Sequence, residues 1–209
     1  MITDHKDKAT ALLEFFSMVF TNEPDSDFIE LDTVALTSEM SPLHITECDI
    51  HKKLPYLKLN KSPGPDSIHP RVLYEVRSKI CSPLKHIMEL SLNIGNVSLD
   101  WRSAIITAVY KKVSRTDVSN YRPVSLTCIT CKLMESLVRD HLMKFFVSNK
   151  LFSNHQFGFI KGRFTVLQLL RILDKWTKLL EEGKQVDDIY TDFEKAFDNV
   201  PHKRLLSKL

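Results

Sequence analysis

The first 20 residues carry the hydrophobic spacing of an amphipathic helix. Apolar side chains between Leu12 and Val19 recur every three or four positions, and Asp4 precedes them at a suitable place for an N-cap. Residues 1–20 are therefore predicted to form an N-terminal helix. Residues 21–45 lose this periodicity, become acidic and contain proline near both ends, which predicts a linker.

Helical patterns return in residues 46–97, where proline-containing turns interrupt them. Thr46 and Asp49 have the spacing of a capping box at the start of a short helix. Pro55 is expected to end that helix, because proline lacks the N–H that a helix interior needs. We interpret residues 46–97 as one helical segment that precedes a different kind of structure.

The stretch LNKSPGPDSIHP, residues 59–70, predicts a rigid loop inside this helical segment, because prolines and a glycine follow each other closely. Its last residue, Pro70, suits the first turn of a following helix. Ser82 and Pro83 are expected to open another helix, which Gly95 would end as a C-cap.

The pattern changes after Trp101, within a segment that we assign to residues 98–209. Residues 104–112 are short and β-branched, and residues 124–128 repeat this character after a polar connection. These two runs predict an antiparallel hairpin. The helical period then returns from about Thr130 to Asn149.

The last part of the chain alternates again between helix and strand patterns. Thr165 is expected to cap a strongly apolar helix that Gly183 ends, and Val186–Phe193 predicts a strand. Pro201 is expected to begin a final helix. The predicted fold class is therefore α+β: mostly helical, with one β-hairpin and one further strand.

Composition and charge narrow the class of protein only modestly. The chain has 209 residues and a net charge of +3, which is compatible with binding nucleic acid but does not demonstrate it. A charged N-terminus without a signal peptide, and no apolar run long enough to cross a bilayer, favour a soluble intracellular protein without membrane partners. The sequence leaves open whether it is nuclear or cytoplasmic.

Cys128 and Cys131 form a C-x-x-C pair that no second cysteine or histidine pair accompanies at zinc-finger spacing. We therefore expect buried thiols in a reducing compartment rather than a metal or redox site.

Asp192 is the first candidate for chemistry, because a carboxylate at the end of a strand can hold a divalent metal ion. Its neighbour Asp188 shares the same face of the predicted strand, but at about 3.3 Å per residue it lies roughly 13 Å away and cannot share an ion. By spacing alone, Asp192 is a structural carboxylate at a strand end. Basic clusters around Lys111 and Lys161 are likewise either solvated loops or contacts to phosphates.

Four motifs, taken in order, resemble the reverse transcriptases of non-LTR (LINE-type) retrotransposons, in particular the jockey/CR1-like group. The first is NKSPGPDSIHPRVL, and the second runs from WRSAIITAVYKK through NYRPVSLT to Lys132 and Glu135. The third and fourth are HQFGFIKGRFTVLQLL and VDDIYTDFEKAFDNVPH. The resemblance covers nearly the whole chain. It implies a right-hand polymerase, of which residues 98–209 would form the fingers and the start of the palm, with Val186–Phe193 as a truncated palm strand.

The resemblance also implies roles for individual residues. Asp192 matches the catalytic aspartate that binds Mg²⁺, and Phe197 matches the aromatic residue that packs under the nucleotide sugar and excludes a 2′-hydroxyl. Arg122 and Lys132 match two nucleotide-binding cations over the incoming triphosphate. Four residues in or beside the QFGF motif would contact the template: Gln156, Gly158, Lys161 and Arg163.

The implied function is RNA-templated DNA synthesis, with an RNA template, a DNA primer and dNTPs as partners and substrates. The resemblance is incomplete, since the family's aromatic-x-Asp-Asp motif does not occur in these residues. We therefore expect the chain to be inactive as a polymerase on its own. The alternative is a non-enzymatic remnant of a retroelement that at most binds nucleic acid.

Two further expectations concern the structure of such a chain. An unpaired palm strand would offer its backbone to a second copy, which predicts self-association. Ser67 stands where relatives usually have glycine after PGPD, which puts the geometry of that turn in question.

Overall fold

The structure of the chain is a computed structural model that describes residues 3–18, 23, 39–111 and 114–207. The chain divides into two units, Met1–His141 with Lys195–Leu209, and Leu142–Glu194. We describe each unit by itself. No helix in the described ranges is long and apolar enough to cross a membrane.

Helix α1, His5–Ser17, confirms the N-terminal helix and its cap. The Asp4 carboxylate accepts hydrogen bonds from the backbone N–H groups of Lys6 and Asp7, at 2.7 and 3.1 Å. These bonds satisfy donors that the first turn of a helix leaves without partners. Most of the linker predicted for residues 21–45 lies outside the described residues.

Helix α2, Glu47–Lys53, begins with the predicted capping box. The Thr46 hydroxyl accepts the Asp49 N–H at 3.2 Å, while the Asp49 carboxylate accepts the Thr46 N–H at 3.0 Å. Hydrogen bonds from the side chain and then the backbone of Thr46 hold the pKa of Asp49 below its usual range. The α-helix gives way to a 3-10 turn at Leu54–Tyr56, which contains Pro55.

Helices α3, Pro70–Glu75, and α4, Arg77–Ile94, follow the proline-rich loop, and Gly95 ends α4 with a φ of 67° as expected. The prediction that Ser82 and Pro83 open a helix is wrong, because Pro83 lies inside α4. Cys81 and Leu84 flank it and are both 5% exposed. Their burial offsets the hydrogen bond that proline cannot donate.

The predicted hairpin is confirmed. After the short helix α5, Leu99–Arg102, strands β1, Ile105–Tyr110, and β2, Tyr121–Leu126, pair antiparallel with Ile105 opposite Leu126. Strand β2 begins three residues earlier than predicted. Helix α6, Ile129–Ser148, then confirms the helix expected from Thr130 to Asn149.

The core of the first unit lies between α2, α3, α4 and the first half of α6. Leu54 and Met88 are fully buried, and Leu73 is 1% exposed. The other members of this cluster are Ile45, Ile50, Cys81, Leu84, Ile129, Leu133, Met134 and Leu137. Apolar burial of this kind is the main stabilising term in folding, and here it fixes the first turns of α6 against the N-terminal helices.

Lys53 and Asp140 add a polar tie between α2 and α6. The Lys53 ammonium donates to the Asp140 carboxylate and to the carbonyl of Ser136, the latter at 3.3 Å. Together with Arg139, Lys53 lowers the pKa of Asp140, although partial desolvation opposes the shift.

In the second unit, helix α7 spans Thr165–Glu181, close to the prediction, and Gly183 follows it with a φ of 71°. Phe164, not Thr165, occupies the N-cap position. In the first unit, the chain ends its described part with helix α8, His202–Leu206, directly after Pro201.

The predicted palm strand Val186–Phe193 is wrong in this structure. The described residues contain only two strands, β1 and β2, and the chain from residue 184 to 193 has no regular structure. Strands need a neighbour for their backbone N–H and C=O groups, and no described segment supplies one. Ile189, Tyr190 and Phe193 are accordingly 87%, 81% and 80% exposed.

The coarse prediction of a mixed α+β chain is confirmed, since helices predominate and the strands form one antiparallel hairpin. The division into segments at residues 20, 45 and 97 stays a prediction, as does self-association through the segment 186–193.

Candidate functional site

The hairpin that carries Arg122 contributes no buried side chain to the core of the first unit. All residues of β1 and β2 are described, and none of them is buried. Ile105 and Ile106 are each 50% exposed, although apolar residues in strands usually cover a core. Arg122 is exposed on β2, opposite Val109.

Side chains order the end of the hairpin. The rings of Tyr110 and Tyr121 lie 5.6 Å apart, and the guanidinium of Arg115 lies 5.2 Å from the centre of the Tyr110 ring. The Tyr121 hydroxyl donates to the Arg115 carbonyl at 2.9 Å. Arg115 therefore packs on the hairpin itself. Lys112, from the same basic cluster, lies outside the described residues.

Lys132 lies in the first turn of α6, the element that follows β2. Its side chain is exposed, while Cys131 and Leu133 beside it are buried. Its backbone N–H donates to the Cys128 carbonyl at 3.1 Å, so the turn that holds Lys132 begins at Cys128. The two predicted triphosphate-binding residues thus extend from consecutive elements of one unit.

Trp101 joins the start of the hairpin to the start of α6. Its indole N–H donates to the hydroxyl oxygen of Thr130 at 3.0 Å, and Thr130 is 8% exposed. The thiols of Cys128 and Cys131 donate to the carbonyls of Asp100 and Trp101, at 3.3 and 3.6 Å. These contacts hold residues 98–102 against the first turn of α6.

Gly64, from the proline-rich loop, packs against the junction between β2 and α6. A Cβ on this residue would lie 2.4 Å from the backbone nitrogen of Cys128 and 2.6 Å from the carbonyl carbon of Thr127. Real Cβ atoms do not approach backbone so closely, so only glycine fits. The sequence showed a glycine between two prolines but gave no signal of this long-range contact.

The same loop contains a strained residue. Ser67 has a φ of 57°, in the left-handed region that favours glycine. Its N–H donates to the Gly64 carbonyl at 3.0 Å, and the Asp66 carboxylate accepts the Ile68 N–H at 3.1 Å. The absence of glycine at this position therefore has a structural cost, which the turn's hydrogen bonds offset.

Cys128 and Cys131 are buried, which confirms that part of their prediction. Cys81, Cys128 and Cys131 are buried free thiols. Burial, with a further contribution from Glu135, raises the pKa of Cys131 to about 11, so that it stays protonated at neutral pH. A thiol in this state is neither a nucleophile nor a metal ligand.

In the second unit, two arginines shape the loop that carries the predicted template-binding residues. The Arg163 guanidinium donates to the carbonyls of Ser153 and Gln156 at 2.7 and 2.8 Å. Arg171, which no sequence motif singles out, donates to the Asn154 carbonyl at 3.1 Å. Both side chains therefore bind the loop's own backbone.

The remaining predicted template contacts face outward. Gln156 donates from its side-chain amide to the Gly158 carbonyl at 3.3 Å and is exposed, as is Lys161. A Cβ on Gly158 would meet nothing within 4 Å. A ligand could therefore approach the backbone of Gly158 closely without a steric clash.

Asp192 lies in the second unit and Phe197 in the first. Asp192 is exposed, and the Phe197 side chain is 79% exposed. Residues 195–199 form a turn in which Lys195 has a φ of 50° and its carbonyl accepts the N–H groups of Asp198 and Asn199, at 3.0 and 3.1 Å.

A magnesium site needs several oxygen ligands around the ion. In the described parts of the chain, no group of three His, Cys, Asp or Glu side chains is arranged to hold a metal ion. Asp192 with the other described residues therefore does not make a complete Mg²⁺ site.

Comparison with known proteins identifies similar sequences. Residues 109–209 match the family described as reverse transcriptase (RNA-dependent DNA polymerase). Over 165 residues, 78% of this chain, it is 30% identical to the RNA-directed DNA polymerase from mobile element jockey of Drosophila melanogaster, of which it covers 18%. Over 196 residues, 93% of this chain, it is 26% identical to the probable RNA-directed DNA polymerase from transposon BS of the same organism, of which it covers 21%.

A third similar protein is the probable RNA-directed DNA polymerase from transposon X-element of Drosophila melanogaster, 25% identical over 177 residues, with 84% of this chain and 19% of that protein covered. The chain thus spans about a fifth of the length of the curated relatives it matches. The family match begins inside β1 and includes the rest of the hairpin, Lys132 and Asp192.

Proposed function

We propose, on the premise that this chain belongs to the reverse transcriptases of non-LTR retrotransposons, that it supplies the triphosphate- and template-binding part of an RNA-directed DNA polymerase. In this proposal the hairpin and α6 belong to the fingers of a right-hand polymerase. One observation carries the proposal: Arg122 and Lys132 extend, exposed, from consecutive elements within the matched residues.

Arg122 and Lys132 are chemically suited to a triphosphate. The planar guanidinium of arginine can bind two phosphate oxygens at once, and the ammonium of lysine acts as a compact charge on a flexible stem. Neither side chain is buried, so each can reach a ligand in solution. We propose that Arg122 and Lys132 bind oxygens of one dNTP.

The loop from Ser153 to Phe164 is the proposed template contact. Arg163 organises its backbone, whereas Lys161 is exposed and Gly158 leaves space for a close approach. A single exposed lysine gives an attraction to phosphate that does not depend on base sequence. In this proposal Arg163 shapes the loop, Gln156 lies at its surface and Lys161 contacts the template backbone.

We also propose a role for Asp192, in the second unit, and one for Phe197, in the first. Asp192 would supply one carboxylate ligand to Mg²⁺, which neutralises phosphate charge when bound. Because the described residues do not make a complete site, the other ligands must come from elsewhere. Phe197 would pack under the deoxyribose, and its largely exposed ring is accessible for such a contact.

The template part of the proposal is tested by titrating the chain with a fluorescent RNA–DNA primer–template over a series of salt concentrations. If the chain contacts phosphates, the logarithm of the association constant should fall steeply with the logarithm of the salt concentration. Lys161→Gln should make this slope shallower by about 0.7–0.9, the change expected for the loss of one phosphate contact. The matched control is Lys175→Gln, an exposed lysine on α7 outside the loop. A slope near zero for the wild-type chain would contradict the proposed template contact.

A chain that binds primer–template but not dNTP would fit the alternative of a remnant with nucleic-acid affinity only. Binding of dNTP that requires Arg122 and Lys132 would separate the proposed function from that alternative, since simple phosphate-backbone binding does not need a defined pair of cations.

A further inference from the structure

We propose that Gly64, Trp101 and Thr130 together form the positioning element of the triphosphate site, a role that no part of the family resemblance assigned to them. The inference rests on the proposed function, because it concerns how Arg122 is held relative to Lys132. None of the three is proposed to touch the nucleotide. We call their contacts the hairpin base, which consists of Gly64 against Thr127–Cys128 and Trp101 against Thr130.

The hairpin depends on this base because its strands bury no side chain, although α1 lies against the turn Val118–Asn120 at the far end of the hairpin. Neither β1 nor β2, both fully described, contains a buried residue. A two-stranded hairpin is marginally stable alone, and packing against another element normally fixes it. The contacts where the two strands join the rest of the first unit therefore help to set the direction in which Arg122 points.

The first join is the hydrogen bond from Trp101 to Thr130. The chain runs from Trp101 through the end of α5 into β1, which starts at Ile105. The 3.0 Å bond from the indole N–H fixes this entry to Thr130, two residues before Lys132 on α6. One contact thus connects the start of the hairpin to the helix turn that carries the second cation.

The second join is the backbone contact of Gly64. After Leu126 the chain leaves β2 through Thr127 and Cys128, and Gly64 fits against both with no room for a Cβ. The Cys128 carbonyl in turn accepts the N–H of Lys132 at 3.1 Å. The exit of the hairpin and the start of α6 are therefore held by the same contact.

The geometry makes the site sensitive to this base. Arg122 lies four residues before Leu126, or about 13 Å along the strand at roughly 3.3 Å per residue. A tilt of about 10° at the base would move Arg122 by about 2 Å. Displacements of that size are enough to lose a well-oriented contact. Two cations can bind one triphosphate only if their spacing is maintained.

The test compares two substitutions at Thr130 and two ligands. Thr130→Val keeps the shape of the side chain but removes the oxygen that accepts the Trp101 N–H, whereas Thr130→Ser keeps that oxygen. Binding of dTTP and of dTMP to each full 209-residue chain is measured by isothermal titration calorimetry. A monophosphate can be held by one cation, so its affinity should not depend on the spacing of two.

We expect Thr130→Val to raise the Kd for dTTP about tenfold, with the Kd for dTMP changed less than about twofold. Thr130→Ser should bind dTTP as the wild type does. Wild-type affinity for dTTP in Thr130→Val would overturn the inference. So would an equal loss for dTMP, or a loss in Thr130→Ser as large as in Thr130→Val.

If circular dichroism shows that Thr130→Val does not fold, the Trp101→Phe variant is used instead, because it removes the donor of the same hydrogen bond. Its Kd values for dTTP and dTMP are then compared with those of the wild type. Failure of the wild-type chain to bind dTTP contradicts the proposed function and the inference with it. Binding by the wild type together with undisturbed binding by the variants contradicts the inference alone, so the two failures are distinguishable.

Discussion

Gly64 and Cys128 are 64 residues apart in the sequence, yet their backbones touch: a Cβ on Gly64 would lie 2.4 Å from the Cys128 nitrogen. This contact ties the proline-rich loop to the point where β2 ends and α6 begins. It gives the glycine of the PGPD motif a structural reason that is independent of any contact with a ligand.

Gly64→Ala should destabilise the chain by about 1–3 kcal/mol, the usual cost of forcing an extra carbon into a packed position. The backbone conformation of Gly64 is not left-handed, so the effect would come from the contact with Thr127 and Cys128. Unfolding in urea, followed by circular dichroism, measures it.

The matched control is Gly158→Ala, because a Cβ at Gly158 meets nothing within 4 Å. It should leave the free energy of unfolding within about 0.5 kcal/mol of wild type. Equal effects of the two substitutions would show that Gly64 is not packed as described.

Ser67→Gly should stabilise the chain. Ser67 has a φ of 57°, which costs a residue with a side chain about 1–2 kcal/mol that glycine avoids. Glycine loses more conformational freedom on folding, so we expect a net gain of about 0.5–1 kcal/mol. Thermal unfolding of the variant and the wild type under identical conditions would show it as a higher Tm. A lower Tm for Ser67→Gly would mean that the left-handed turn does not form.

The Lys53–Asp140 pair should contribute stability that acid removes. Because Lys53 lowers the pKa of Asp140 in the folded chain, this contribution is complete above the unfolded value near 4 and is lost as pH falls through the folded value. The pair is partly exposed, so Asp140→Asn should cost no more than about 1 kcal/mol at pH 7.

Urea unfolding of Asp140→Asn and wild type, repeated from pH 7 down to pH 3, measures this difference. The difference should shrink toward zero at the acid end. A difference that stays constant over the whole range would show that the effect does not arise from the charge of Asp140.

The 209 residues should not extend a primer in the presence of Mg²⁺. Asp192 has no accompanying ligands that could form a metal site with it among the described residues. The assay is incorporation of labelled dNTP on an RNA template, with Asp192→Ala as the background control. Template-dependent incorporation above that background would show that the site is more complete than we infer.

Local signals in the sequence predicted the elements whose formation depends on nearby residues. Asp4, the Thr46–Asp49 capping box, Pro70 and Gly95 all occupy the helix ends that their chemistry favours. Pro83 lies inside α4 and not at a helix start, because burial of its neighbours outweighs the local preference of proline.

Features that depend on residues distant in the sequence could not be predicted, or were predicted wrongly. Val186–Phe193 has the composition of a strand, but composition supplies no partner for its backbone, and the described residues contain none. The contact of Gly64 with Cys128 and the bond from Trp101 to Thr130 join distant residues, and one sequence carries no trace of such pairs. For the candidate site, the sequence could name Arg122 and Lys132 through the family resemblance but could not show what holds them.

The central claim is that Arg122 and Lys132 bind one nucleoside triphosphate, and equilibrium binding of dTTP tests it most directly. We predict that wild type binds dTTP, and that Arg122→Gln and Lys132→Gln each raise the Kd about tenfold or more, as expected for a lost charge-assisted contact. Lys144→Gln, an exposed lysine on the same helix, should bind as wild type. Absence of dTTP binding by wild type, or equal effects of Lys144→Gln and Lys132→Gln, would contradict the account.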